Sequence, residues 1–224
     1  MSIEYKITLK IESNMAADVC VSRKGAKWAA ELKPVAWLCR PAARGHTIVF
    51  SWQETYSVYC GQKGICATDG AVSGVNFGDI VQADAVPGDA QKSAFALAYG
   101  GGLFTISPTG NGGTDKTLKL SAGGSVPSGR AFVGFGVSGK PVCAQPAYPN
   151  TPYTFDTETS FGLLYGGYEA GQILSDADIE RMYPFTFSQE NEAVFTLMED
   201  NTWRQGDAFR TQGRGKNHGD KTPD

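Results

Sequence analysis

The strictest constraint in this chain lies in its first dozen residues, where Ile3, Tyr5, Ile7, Leu9 and Ile11 alternate without a break with Glu4, Lys6, Thr8, Lys10 and Glu12. Side chains that repeat every second residue share one face of an extended strand, whereas a helix needs a repeat near 3.6. The segment therefore predicts a strand with one face on a core and the other in water. The same period recurs in Ile48/Phe50/Trp52, in Phe95/Leu97/Tyr99 set against Ala94/Ala96/Ala98, and in Ala193/Phe195/Leu197. Each reads as a strand of an antiparallel sheet. Gly100-Gly101-Gly102, Thr109–Gly113 and Gly123–Pro127 separate such segments, and their glycines make positive φ cheap. Short strands with frequent turns predict an all-β fold, an antiparallel β-sandwich.

Helical signal is confined to two short stretches. One runs from Lys27 to Lys33 before Pro34, and the other is capped by Ser175 and runs through Arg181 before Pro184. The 224 residues suffice for a real core, and β-sandwiches reach this length as one unit. Residues 1–204 are expected to form a single domain. From 205 to 224 the only large apolar residue is Phe209, too little burial to offset the ordering entropy, so a disordered tail is expected there.

Charge and cysteines narrow the setting. A net charge of −3 and a pI near 5.5 leave no strong positive field, which disfavours nucleic acid and anionic membranes as partners. No apolar run is long enough to span a bilayer, and Met1–Lys6 lacks the features of a secretory signal. The five cysteines, Cys20, Cys39, Cys60, Cys66 and Cys143, are odd in number and unevenly spread, which suits a reducing compartment. A soluble, cytoplasmic protein with all five thiols reduced is expected, signal-independent export remaining open.

No local motif proposes catalysis. Gly134-Phe135-Gly136-Val137-Ser138-Gly139 fits the dinucleotide pattern G-x-G-x-x-G, but Lys140-Pro141 follows where a helix is needed. The segment reads instead as a strand that points Val133, Phe135 and Val137 at the core, with glycines that permit close approach. His46 and His218 are the only histidines, and no nucleophile elbow accompanies them. Cys60 and Cys66 stand too far apart in sequence for a zinc pair and read as a loop with two free thiols. Asp79, Asp84 and Asp89 share neither a helix face nor a strand face. Asp176, Asp178 and Glu180 lack the glycine of a calcium loop. No metal and no cofactor is expected. The remaining lead is aromatic: Trp37, Trp52, Tyr56 and Tyr59 cluster in sequence and are the candidate ligand-binding residues. Core burial is the alternative for each, favoured because large aromatics dominate cores.

Several segments resemble the rhizosphere-expressed, RhiA-like proteins of rhizobia. They are Val35–Leu38; Thr47–Trp52 followed by Tyr56-Ser57; Val133–Gly139; Ala144–Pro146 leading to Thr151–Phe155; and Asp200–Trp203. The resemblance implies an abundant bacterial or fungal protein, linked in rhizobia to quorum-sensing control. It brings no catalytic residues. Two departures stand out: Cys60 follows Tyr59 where the family tends to carry an aromatic, and the stretch after Trp203 looks additional. The leading expectation for function is a non-enzymatic binding or self-associating protein, because Phe95–Tyr99 and Phe161–Tyr165 carry no charge and would pair with another copy if they lay at sheet edges. A carbohydrate-binding module, with a glycan or other small ligand, is the first alternative. A hydrolase with a non-local carboxylate pair is the second.

Overall fold

The alternation that opens the chain is realised in its structure. A computed structural model describes residues 3–68, 71–113, 115–187 and 191–206, and over 63–68 and 71–77 its backbone alone. In chain order the strands are β1 (Glu4–Ile11), β2 (Ala17–Lys24), β3 (Lys33–Pro34), β4 (Leu38–Ala42), β5 (Thr47–Gln53), β6 (Tyr56–Thr68), β7 (Ala71–Ala85), β8 (Ala94–Gly100) and β9 (Leu103–Pro108). They continue with β10 (Thr117–Ala122), β11 (Ala131–Val137), β12 (Lys140–Pro141), β13 (Cys143–Pro146), β14 (Pro152–Asp156) and β15 (Ser160–Gly166). Helix α1 (Asp176–Arg181) precedes β16 (Tyr183–Phe185), β17 (Glu192–Leu197) and β18 (Trp203–Gln205).

These strands form four sheets, ordered β18-β17-β1-β5, β16-β15-β2-β4, β14-β10-β8-β9 and β3-β13-β11-β6-β7, with β12 also on β11. The fold is all-β, built of packed sheets. Register places Ile7 opposite Phe50 and Leu9 opposite Ile48, so the odd positions of β1 and the even positions of β5 enter one core. Burying each such side chain contributes about 1.5–3 kcal/mol. Two ladders depart from the antiparallel expectation, since β1 runs parallel to β17 and β8 parallel to β10. Neither pair is joined by a hairpin, so no tight turn imposes the antiparallel direction.

Both uncharged segments lie inside sheets and not at edges. Phe95–Tyr99 belongs to β8, flanked by β10 and β9, and Phe161–Tyr165 to β15, flanked by β16 and β2. Their backbones are paired on both sides over Phe95–Leu97 and Phe161–Leu163, which weakens the reason for expecting self-association through them. In β15 the lack of charge has another cause. Leu163 enters the main core, while Leu164 packs with Cys20, Ala36, Tyr168 and Leu174 in a second cluster that Ile179 and Met182 cover. A strand covered on both faces has no place for charge.

The Ser175 stretch forms α1 as expected, with Ser175 and Asp178 exchanging both bonds of a capping box. Lys27–Lys33 is turn and not helix, closed by Leu32 N–H on the Ala29 carbonyl before Lys33 enters β3. The cysteine expectation also needs correction. Pairing of β2 with β4 sets Cys20 opposite Cys39, and the two form a disulfide. A count of cysteines does not reveal a partnership that strand register creates. Cys60 and Cys143 are free and buried. Cys60 and Cys66 sit on one strand, β6, and not in a loop; six residues of strand span about 20 Å, beyond the reach of a disulfide. The expected tail, 205–224, lies outside the described residues from 207 onward, and Gln205 belongs to β18. No helix among the described residues is long and apolar enough to cross a membrane.

Candidate functional site

Along β2, Val19 and Val21 enter the main core, and the next residue in phase is Arg23. The period that buries the valines buries the arginine, which is 3% exposed. A buried charge needs a partner, and the link between β5 and β6 provides it. Arg23 Nη2 donates to Glu54 Oε1 at 2.7 Å and Nε donates to Thr159 Oγ1 at 2.7 Å. The Tyr56 hydroxyl donates to the same Glu54 oxygen at 2.9 Å. The guanidinium also lies 4.8 Å from the ring centroid of Phe161 and 5.7 Å from that of Trp37, within range of a cation–π attraction.

A hairpin turn fixes the Glu54 segment. Ser138 and Gly139 both have positive φ, 51° and 70°, the conformation of a two-residue turn between antiparallel strands, here β11 and β12. Ser138 then clamps the backbone on either side of Glu54: its hydroxyl donates to the Gln53 carbonyl at 2.6 Å and accepts from Gln53 N–H at 3.0 Å, and its own N–H donates to the Thr55 carbonyl at 2.9 Å. The glycine pattern that mimics a dinucleotide loop thus ends in a turn that positions the carboxylate. Upstream, a side chain on Gly134 would press on the Cys143 carbonyl and the Tyr59 hydroxyl, so the expected close approach is present.

Arg23, Glu54, Tyr56 and Ser57 line a cavity of about 1040 Å³, at the upper end of the roughly 300–1,000 Å³ typical of small-molecule sites. It opens where β1, β2, β6 and β7 meet the segments before β10 and β15. Tyr5, Phe161, Val86 and Pro87 supply apolar wall, and Gln82, Asp84, Lys116, Glu158 and Thr159 supply polar wall. Burial and the adjacent Glu54 charge push the Tyr56 hydroxyl up, against the opposing pull of Arg23, so it stays a donor. A hydrogen bond and the charge of Lys116 hold the Glu158 carboxyl below its ordinary range. Three residues of the cavity lining each carry one atom, Arg23 Nη1, Glu54 Oε2 and Ser57 Oγ, that is closed off from solvent and has no hydrogen-bond partner among the described residues. Each such group costs about 1–3 kcal/mol, more when charged.

Of the four aromatics singled out in the sequence, only Tyr56 lines the cavity. Trp37, Trp52 and Tyr59 are buried in the core. Trp37 meets Trp52 edge to face at 5.1 Å and donates from Nε1 to the Val137 carbonyl at 3.3 Å, Trp52 stacks on Tyr5 at 5.5 Å, and Tyr59 donates to the Cys143 carbonyl. Arg23, Glu54, Ser57 and Thr159 were not singled out. The one signal that marked any of them is the charge of Arg23 standing in phase with Val19 and Val21. His46 is exposed and His218 lies outside the described residues. Asp84 reaches the cavity, Asp89 accepts from Gln91 N–H in a turn, and Asp178 belongs to the helix cap. No group of three or more metal-ligating side chains gathers among the described residues.

Fold and site together define an all-β protein whose sheets converge on a cavity built around a buried arginine–glutamate pair. A family model described as RhiA matches residues 2–206, and the chain belongs to the RhiA family. Protein RhiA of Rhizobium leguminosarum bv. viciae is 29% identical over 206 residues, a stretch that covers 89% of this chain and 85% of that protein. No solved structure matches the chain.

Proposed function

We propose that this protein is a non-enzymatic binding protein whose small-molecule ligand occupies the Arg23–Glu54 cavity. The observation that carries the reading is a cavity of ligand size, about 1040 Å³, walled by the buried Arg23–Glu54 pair and by Tyr5, Tyr56 and Phe161. Mixed apolar and polar walls around such a volume are the form that small-molecule sites take. The competing reading of self-association loses one of its motives, because both uncharged segments belong to interior strands. The hydrolase reading calls for a carboxyl that stays protonated near neutral pH. Against it, Glu158 is shifted the opposite way, and Glu54 Oε1 is already engaged by Arg23 and Tyr56.

A thermal-shift screen of the full chain against a metabolite library of neutral sugars, organic acids, amines and aromatics tests this, with ligand mass followed by mass spectrometry. A ligand at a hundredfold excess over its Kd stabilises by about 2.7 kcal/mol, about 5–11 °C for a chain of this size. At least one compound is expected to reach such a shift, to recover unchanged in mass, and to lose its effect in Tyr56→Ala. Turnover of the compound contradicts the non-enzymatic reading. A library without any shift that depends on Tyr56 contradicts the cavity.

A further inference from the structure

A strand at the end of a sheet exposes one row of backbone amides and carbonyls, and natural proteins blunt such rows with charge or proline. Here β5 ends its four-stranded sheet with neither in its seven residues. Every other strand at the end of a sheet order is blunted: β3, β4, β9, β14 and β16 each hold a proline, β7 holds Asp79 and Asp84, and β18 holds Arg204. The direction of each backbone group on β5 follows from its far end. Glu54 N–H donates to the Ile3 carbonyl at 3.1 Å, and bonding along an antiparallel ladder alternates. Ile48, Phe50 and Trp52 therefore bond to β1, while Thr47, Val49, Ser51 and Gln53 point their backbone groups away from it. Ser138 takes both groups of Gln53. Thr47, Val49 and Ser51 have no strand beside them on that side among the described residues.

Charge indicates what such a partner carries. No Asp or Glu occurs between Glu31 and Glu54, a stretch that holds Lys33, Arg40 and Arg44 in a chain of net charge −3. Lys33 is paired with Asp176 and Arg44 with Glu199. Arg40 is exposed, without an ion pair among the described residues, and its guanidinium lies 5.6 Å from the ring centroid of Phe50, on the core side of the β5 edge. A second copy of β5 at this edge would bring its own Arg40 towards the first, a like-charge approach. Successive residues of an added strand face opposite sides. One set lies beside Val49, which is 39% exposed on the outer face, and suits apolar side chains; the other lies on the Phe50 side, where a carboxylate meets Arg40. We infer that β5 is a docking edge for an extended, acidic peptide segment of another protein, which adds a fifth strand beside Thr47–Ser51 and turns its carboxylates towards Arg40. This surface is distinct from the cavity, since Arg40, Thr47, Val49 and Ser51 are absent from the cavity wall.

The test is isothermal titration of the full chain with an acetylated, amidated heptapeptide of alternating valine and glutamate. Its valine–lysine counterpart and a valine–glutamate version with a central proline are run beside it. The valine–glutamate peptide is expected to bind. Val49→Pro, which removes an outward N–H and leaves the β1 ladder intact, should weaken it by more than about tenfold. Arg40→Gln should weaken it about two- to fivefold, a difference that fades in about 1 M salt. The other two peptides should not bind measurably. Circular dichroism checks the fold of each variant, and Ser51→Pro decides in place of Val49→Pro if the latter fails to fold. Binding indifferent to the proline variants or to Arg40→Gln, equal binding of the lysine peptide, or no binding of the valine–glutamate peptide overturns the inference. A dimer of the full chain in sedimentation that Val49→Pro dissolves also overturns it, because the edge then serves a second copy.

Discussion

Replacing Arg23 with methionine tests what the buried ion pair contributes to the fold. The change removes two hydrogen bonds of 2.7 Å and leaves the Glu54 carboxylate without its countercharge. Breaking a buried pair from one side costs about 3–5 kcal/mol. Glu54 is 16% exposed at the cavity, so water offsets part of the loss and the lower figure of about 3 kcal/mol applies, or about 6–12 °C in Tm for a chain of this size. The double replacement Arg23→Met with Glu54→Leu removes both charges and fills their space with apolar atoms, a change that is often neutral or stabilising. It leaves the Tyr56 hydroxyl without its acceptor, worth about 1 kcal/mol. The double variant should therefore stand within about 1 kcal/mol of the natural protein in stability, yet bind no ligand. Urea denaturation followed by tryptophan fluorescence measures all three proteins, with Trp37 beside the guanidinium as a reporter. A single variant as stable as the natural protein, or a double variant as unstable as the single, would refute the view that the pair serves the cavity and not the fold.

Further expectations concern cysteines, packing and pH. Burial pushes the Cys60 thiol up to about 12 and Cys143 higher still, so neither should react with iodoacetamide in the native protein near pH 8. Alkylation of the denatured, unreduced chain should label three of its five cysteines, two being held in the Cys20–Cys39 disulfide; five labels on intact-mass analysis would contradict the bond. Gly134→Ala should cost about 1–3 kcal/mol or more through overpacking against the Cys143 carbonyl, whereas Gly78→Ala, with ordinary contact at 3.6 Å, should stay within about 0.5 kcal/mol; equal urea midpoints would count against the packing described. Partial desolvation raises the Asp178 carboxyl, but hydrogen bonds from Ser175, Tyr168 and Arg181 outweigh it and hold the group below its ordinary value. Its contribution is present above the unfolded value near 3.9 and lost as pH falls through the lower folded value. The stability gap between the natural protein and Asp178→Asn should accordingly narrow below about pH 4, and a gap independent of pH would contradict the cap's role.

Much of the fold was legible because burial on one face of a strand leaves a period of two in the sequence. Ile7, Leu9 and Ile11, the even positions of β5, and Phe95 and Leu97 all entered the core as their spacing indicates. The capped helix was legible for a similar reason, since Ser175 and Asp178 bond within four residues of chain. What stayed hidden depends on which strand lies beside which. The parallel ladders, the Cys20–Cys39 bond and the interior positions of β8 and β15 are facts of register and order, which local patterns do not encode. The cavity was hidden for the same reason: Arg23, Glu54 and Thr159 lie far apart in sequence and meet only through the fold. Clustered aromatics were a poor guide because Trp37, Trp52 and Tyr59 serve the core, and of the four only Tyr56, at the start of β6, lines the cavity.

The most direct test of a ligand in this cavity is a two-dimensional amide NMR titration of the uniformly labelled chain with the compound that gives the largest thermal shift. Signals of residues 54–57, 82–87 and 157–161, together with the Arg23 side-chain Nε–H, are expected to shift along one saturating curve. Shifts centred elsewhere, or saturation that leaves Arg23 and residues 54–57 unmoved, would contradict the Arg23–Glu54 cavity as the binding site.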